Sequence, residues 1–410
     1  MSHAAEAIAL SVVVVSRHRP AELALCLGAL ALQDHRPLEV VLVADPEGLK
    51  VRPDLPLKRI GFDAPNISAA RNAGIAAAAG AVVAFIDDDA VAEPTWAGRL
   101  AAAFRDPEVI AATGWTLGPW GRRWQVRAEA ITPRGPVPLP IEGQATRLYR
   151  PADGTVLSTL GTNCVFRRHT LIAIGGFDPA FPWHLDESDL NLRLAAAFPH
   201  AASALVPRAR VTHGSAPSAR RDAARVPRDL TRIGRSEAIF ARRHGGEATG
   251  VVAVQRRRLL RHMLAGRLDP QRVGPLLASL AAGLAEAADP PLPAPLPDAP
   301  PPAFLPLATR PRPHRLIGGW AWHRRRLRAA AAAAAAEGAA VTLLLLIPGT
   351  MPHRQRFHPG GWWEQSGGVM GPSNPDDPPL IGGSRAARER REFAQLEEYR
   401  ASSRQPEVAS

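Results

Sequence analysis

Three consecutive carboxylates, Asp87, Asp88 and Asp89, follow directly on the apolar run Ala81–Ile86. Like charges this close repel one another and cannot be buried without partners. An apolar strand that ends in them therefore calls for a counter-charge. Oxygen ligands at a strand end suit a divalent cation, Mg²⁺ or Mn²⁺. The competing reading is an acidic turn or a helix start, where Asp is also common. Three more clusters carry reactive or ligating side chains. Ser16-Arg17-His18-Arg19 ends one apolar stretch, Ser68-Ala69-Ala70-Arg71-Asn72 opens a helix-like stretch, and Gly175-Gly176-Phe177-Asp178 precedes His184-Leu185-Asp186-Glu187-Ser188-Asp189. The acids of the last cluster stand where a helix would begin, so capping and dipole compensation account for them without a ligand. Arg193, four residues after Asp189, can pair with it on one helical face.

The elements that must position these groups alternate. Leu10–Ser16, Glu39–Ala44 and Ala81–Ile86 read as buried strands, and Ala21–Leu32, Ser68–Ala79 and Trp96–Phe104 as helices. Such alternation implies an α/β fold with a mostly parallel sheet covered by helices on both faces. Ligands of such sheets bind beyond the carboxyl ends of the strands, where the acidic triplet and Ser16–Arg19 both lie. Trp115–Arg150 breaks into Gly, Pro and Trp and reads as loop with short strands. Ser158–Arg167 reads as a strand, Leu190–Ala197 as a helix, Val211–His213 as a strand end, and Arg228–Arg243 as a basic amphipathic helix. This divides the 410 residues into a sheet domain over 1–250, a helical extension over 251–288 and a proline-dense extended linker over 289–313. A small module follows over 314–382, with a helix at Arg324–Ala336, a strand at Val341–Ile347 and a loop over Pro348–Pro379. A charged, helix-prone and solvated tail takes up 383–410.

Hydrophobic residues make up 46 %, enough for a packed core. The net charge of +12 comes almost wholly from arginine and accompanies abundant Ala and Pro, so it reflects composition more than nucleic-acid binding. It still favours anionic partners such as phosphates or acidic lipid surfaces. Cys26 and Cys164 lack metal-ligand spacing and imply no disulfide framework. No apolar run reaches membrane-span length, and the N-terminus lacks a signal-peptide pattern. The expected location is cytoplasmic, with at most peripheral contact at the inner face of a membrane.

In order and spacing, VVVVSRHRP, ISAARNAG, AFIDDDAVAEPTW, GTNCVFRR, GGFD, LDESDLNLRL and VTHG resemble the family-2 glycosyltransferases, over about half the chain (Leu10 to Gly214). The resemblance implies a GT-A fold and an inverting transfer from a nucleotide-diphosphate sugar, a UDP-sugar foremost, to a glycan or lipid-linked saccharide in cell-surface polysaccharide or glycolipid synthesis. No nucleic acid is implied as a partner. A divalent cation would bridge the diphosphate as a Lewis acid. By the same resemblance Asp87 and Asp89 take the outer positions of an Asp-x-Asp motif. Asp89 coordinates the metal, Asp87 reaches the ribose or a metal-bound water, and Asp88 the donor sugar. His213 becomes a third metal ligand, and neutral imidazole suits Mn²⁺ better than Mg²⁺. Glu187 becomes the general base where Asp is commoner, with Asp186 as runner-up. Arg71 and Asn72 stand beside the nucleotide, Asp45 meets the base, Ser16 and Arg19 line the same edge, and Asn163 lies near the donor sugar. Trp115 and Trp183 offer faces on which sugars could stack, although a buried tryptophan is the more common outcome.

Two other readings compete. A sugar-nucleotide pyrophosphorylase needs a glycine-rich loop after the first strand, and Ser16–Pro20 has no glycine. A non-catalytic glycan- or nucleotide-binding protein on the same fold is at odds with the intact acidic groups. Arg228–Arg243 and Arg256-Arg257-Arg258 suit a lipid diphosphate or an anionic membrane as well as a plain solvated face. No motif assigns a role to the module at 314–382, and His314, His353 and His358 match no metal spacing.

Overall fold

The computed structural model describes residues 7–400 apart from 215–221, 223, 287, 289 and 298. The chain opens with β1 (Leu10–Ser16), α1 (Pro20–Leu30), β2 (Leu38–Ala44), β3 (Lys58–Gly61), α2 (Ile67–Ala77), β4 (Val82–Asp87), β5 (Ala90–Ala92), α3 (Trp96–Ala103) and β6 (Val109–Leu117). An excursion follows through β7 (Trp124–Val126), β8 (Glu129–Thr132), β9 (Gly135–Pro138), β10 (Arg147–Tyr149) and β11 (Val156–Leu157). The chain then returns to the sheet with β12 (Cys164–Arg167), α4 (Arg168–Ala173), α5 (Asp186–Ala197) and β13 (Ala202–His213). The main sheet runs β10-β13-β6-β12-β4-β1-β2-β3. β4, β1, β2 and β3 are parallel, as are β6 and β13, while β12 enters antiparallel between β4 and β6.

The near-continuous apolar sequences of β1 and β2 follow from burial on both faces. Val12 and Val14 of β1 pack with α1 and α3, and Val13 faces the cluster of α2, α4 and α5. Asn66 caps α2 by accepting from the Ala69 N–H at 3.0 Å. Inside that helix Gly74 lies so close to β1 that a Cβ would overlap Val13 Cγ1.

Helices α6 (Thr231–His244), α7 (Thr249–Leu264) and α8 (Val273–Glu286) form a separate apolar cluster beside the sheet. No helix among the described residues is long and apolar enough to cross a membrane. The proline-dense segment is extended but is not a free spacer. It lies along the sheet domain, where Leu307 donates its N–H to Leu38 O at 2.7 Å and packs into the core.

The C-terminal module comprises β14 (His314–Trp320), α9 (Arg324–Ala336), β15 (Ala340–Ile347), β16 (Arg354–His358), β17 (Trp362–Gly368) and α10 (Arg385–Arg400), with sheet order β14-β15-β17-β16. Two expectations fail here. The stretch read as loop after Ile347 contains β16 and β17, which bury Phe357 and Trp363 against Ala29 of α1. The tail read as solvated contains α10, which buries Arg388, Glu392, Leu396 and Arg400. Arg400 Nε donates to Glu93 at 2.6 Å, its Nη1 donates to Thr342 Oγ1 at 2.8 Å, and its guanidinium lies over Trp363. The polar sequence of α10 reflects buried ion pairs rather than solvent.

Alanine in place of glycine ordinarily favours a helix by about 1 kcal/mol. Gly74→Ala is expected to do the reverse and cost about 1–3 kcal/mol through overpacking on Val13. Urea unfolding measures the sign, and a gain in stability would show that α2 does not seat this closely on β1.

Candidate active site

The site is organised around α2, whose Ser68, Arg71 and Asn72 fall at i, i+3 and i+4 on one face. Ser68 Oγ donates to Phe181 O at 2.6 Å, and Asn72 both donates to Phe177 O (2.7 Å) and accepts from Phe177 N–H (2.9 Å). These bonds fasten the turn that leads into α5. Arg71, 3 % exposed, donates from Nη1 to Asp186 at 2.6 Å and to Glu187 at 3.1 Å, and from Nη2 to Asp87 at 3.5 Å. Phe177 lies under the guanidinium at 4.9 Å. One buried cation thus joins α2, the end of β4 and the start of α5.

Asp186 is 2 % exposed, whereas the Glu187 side chain is 27 % exposed and is the more open of the pair. Burial, with the charge of Glu187 beside it, pushes the Asp186 carboxyl well up, against the pull of Arg71. Leu185, just before α5, is held in the left-handed region at φ 64°. For a branched residue this is strained backbone of the kind that collects at active sites. A Cβ on Gly161 would overlap both Glu187 Oε1 and Arg71 Nη2. Glycine at 161 is therefore a condition of the site, and the residue order Gly-Thr-Asn alone does not show it.

The three aspartates divide. Asp88 turns inward, 4 % exposed, and accepts from Ser16 Oγ at 2.8 Å and Arg19 Nη1 at 3.1 Å. The expected contact with a donor sugar does not fit that placement, because both oxygens are occupied inside. Ser16 and Arg19 do converge on the triplet, as holders of Asp88. Burial raises the Asp88 pKa to about 6, against Arg19 and Ser16.

Asp87 and Asp89 face His213. The antiparallel pairing of β5 with β13 sets His213 opposite Ala90, and Gly214 N–H donates to Asp89 O at 2.7 Å. His213 Nε2 lies 3.1 Å from Asp89 and 3.5 Å from Asp87, and Gln125 Oε1 lies 3.0 Å from Nδ1. One ligand atom from each of Asp87, Asp89 and His213 falls within 4.8 Å of the others. Two carboxylates and an imidazole at this separation fit Mn²⁺ or a similar divalent ion. Gln125 fixes the ring from its other nitrogen, as partners of ligating histidines do. Burial pulls the His213 pKa down, but the Asp89 hydrogen bond and the surrounding carboxylates outweigh it and the net shift is upward.

Other expected residues lie further from open space. Asn163 is fully buried: its amide donates to Trp115 O and Ala209 O and accepts from Trp96 Nε1, so it braces β6, β13 and α3 instead of meeting a sugar. Asn72 spends its amide on Phe177 and does not reach the triplet. Asp45, 1 % exposed, accepts from the backbone N–H groups of His18, Glu47 and Gly48 and ties together the turns after β1 and β2. Trp115 is buried, with Arg127 over its ring. Trp183 packs at the edge of the α6–α8 cluster. Within the basic helix, Arg243 points inward, bonding Asp178 at 2.6 Å and Asp189 at 2.8 Å. Asp189 also takes the expected ion pair from Arg193 at 2.7 Å. This network pins the first turn of α5, and nothing in the sequence spacing announced its Arg243 arm.

Residues 11–175 match the family model described as Glycosyl transferase family 2. A curated relative from Haloferax volcanii, named glucosyl-dolichyl phosphate glucuronosyltransferase, is 33 % identical over 112 residues, 27 % of this chain and 34 % of its own length. The chain therefore spans about a third of that relative. Among solved structures, GalNAc-T7 with UDP, GalNAc and Mn²⁺ aligns at 18 % identity and TM-score 0.40 over 52 % of this chain and 44 % of the other. TarS of S. aureus aligns at 17 % and 0.40 over 62 % and 43 %.

Two outcomes follow from the electrostatics. Arg71→Met leaves Asp186 buried without its cation and is expected to cost about 3–5 kcal/mol. Adding Asp186→Asn should recover much of that, because it removes the orphaned charge; a double mutant no more stable than the single would rule this out. Asp88, raised to about 6 from 3.8, takes up a proton more readily folded than unfolded. It favours the folded state fully below its unfolded pKa, and the advantage is lost as pH rises through about 6. In chelator-treated protein, Asp88→Asn should therefore gain about 1–3 kcal/mol relative to wild type between pH 4 and 7.5, read from urea midpoints.

Proposed function

From the match of residues 11–175 to the family model described as Glycosyl transferase family 2, we propose that the protein transfers a sugar, with inversion, from a nucleotide-diphosphate donor to a hydroxyl acceptor. The observation that carries the reading is the pair of opposed groups across Arg71: the Asp87–Asp89–His213 cluster and the partly exposed Glu187. A divalent cation held there by Asp87, Asp89 and His213 supplies charge neutralisation for a leaving diphosphate.

Glu187 accepts the proton of the acceptor hydroxyl, whose oxygen attacks the anomeric carbon. The bond from that carbon to the diphosphate breaks, and its electron pair leaves with the diphosphate. Arg71 orients the Glu187 carboxylate through its 3.1 Å bond. Asp186, behind Arg71 and out of reach of solvent, positions the guanidinium. Its burial argues for Glu187 over Asp186 as the base. The relative named as a glucosyl-dolichyl phosphate glucuronosyltransferase supports a lipid-linked saccharide or glycan acceptor, in cell-surface polysaccharide or glycolipid synthesis. The UDP and Mn²⁺ named with one solved structure accord with UDP and Mn²⁺ as first choices to test. The exposed arginines of α7, Arg256 and Arg257, suit peripheral contact with the inner face of a membrane from the cytoplasm.

The test is hydrolysis and transfer across UDP-, GDP- and dTDP-sugars with and without Mn²⁺. Asp89→Ala should abolish metal-dependent nucleotide binding. Glu187→Gln should keep that binding and lower turnover by about 10²–10⁴-fold. If no nucleotide binds in a metal-dependent way, the proposal fails. If Asp186→Asn is the inactive variant and Glu187→Gln is not, the base is Asp186.

A further inference from the structure

We propose that the groove between the C-terminal module and the sheet domain is a saccharide-binding site for the acceptor; this rests on the sugar-transfer reading above. The groove encloses about 290 Å³, near the lower end for small-ligand sites, and it lies at a junction between domains, where such sites concentrate. Asp89 and Gly214 are among its lining residues, so the groove touches the carboxylate–imidazole cluster at Asp89. Trp120, Glu22 and the β16 residues Arg356 and Phe357 form the walls.

Trp120 is the telling residue. It is 50 % exposed, whereas Trp115 and Trp363 are buried, and its backbone lies at φ 70°. A bulky residue held in the left-handed region costs about 1–3 kcal/mol and persists where its surroundings impose it. The module packs against this turn. Gly121 seats against Gln355, where a Cβ would lie 3.2 Å from Oε1, and the Arg354 guanidinium stands 5.9 Å from the Trp120 ring.

An exposed aromatic ring in a groove that Glu22 and Arg356 also line matches a pyranose. The apolar C–H face of the sugar meets the ring, and its hydroxyls meet Glu22 and Arg356. Leu25, Val91, Pro119 and Trp363 add apolar surface for the C–H face, and the two charged side chains set a saccharide apart from an acyl or polyprenyl chain, which would desolvate them without a hydrogen bond in return. The module with no motif of its own thereby acquires a role, since it completes the wall on which an acceptor sugar lies as it approaches the cluster.

The test is saturation-transfer NMR on the full chain with Mn²⁺, a mixture of UDP, GDP and dTDP, and methyl glycosides of glucose, galactose, mannose and N-acetylglucosamine. Wild type should show transfer to at least one glycoside. Trp120→Ala should weaken that signal about fivefold and Trp120→Phe should restore most of it, with nucleotide signals alike in all three. Glu22→Gln, which leaves the turn at 119–121 untouched, should also weaken the glycoside signal alone. Nucleotide signals without any glycoside signal, or a glycoside signal indifferent to Trp120 and Glu22, would overturn this inference and leave the transferase reading standing. Absence of every nucleotide signal in wild type would overturn both.

Discussion

A single guanidinium that cannot lose its charge holds this site together. Arg71 is buried, so its cost can be met only by anions brought to it, and α5 and β4 provide three: Asp186, Glu187 and Asp87. The requirement acts in both directions. The carboxylates could not be gathered in so little solvent without the cation, and the cation could not be buried without them. The surrounding construction serves that meeting. Asn72 and Ser68 fasten the turn before α5, Arg243 and Arg193 pin Asp189 one turn further on, and Gly161 gives up a side chain so that the ion pairs can close.

The acidic triplet shows how neighbouring residues of one type come to differ. β4 ends at Asp87 and the chain turns into β5 through Asp88 and Asp89, and in that turn Asp88 faces the interior while Asp87 and Asp89 face His213. Asp88 then becomes a brace between the turns after β1 and β4, and the outer pair keeps its oxygens toward the imidazole. Sequence adjacency therefore says little about shared role, and the turn decides.

Much of this was legible in the residues. The apolar runs of β1, β2 and β4 declare a sheet buried on both faces, and the triplet at the end of one of them points to a cation site, to which His213 is added only through the family resemblance. The pairing of Asp189 with Arg193 follows from helical spacing alone. What could not be read were destinations set by long-range contact. An asparagine amide can serve a ligand or a backbone equally well, and Asn163 and Asn72 serve backbone. Strands β16 and β17 escape notice because Arg, Gln, Glu and Trp alternate in them without an apolar run. Their burial comes from docking on α1 and from Glu364 sitting between Arg328 and Arg356. Helix α10 looks like a solvated tail for the same reason: its charges find partners far away in the chain.

The ion pair between Arg400 and Glu93 spans 307 positions. Glu93 lies just past the triplet, on the segment that carries β5. During synthesis at about 5–20 residues per second, that segment waits roughly 15–60 s before its partner is made. For that interval the nascent sheet domain has its aspartates but not the helix that clasps the strand beside them, and the edge of β5 near Val91 lacks the cover of Phe357 and Trp363. The order of the ribosome's work thus becomes part of the architecture, with the last helix described closing over a loop made near the beginning.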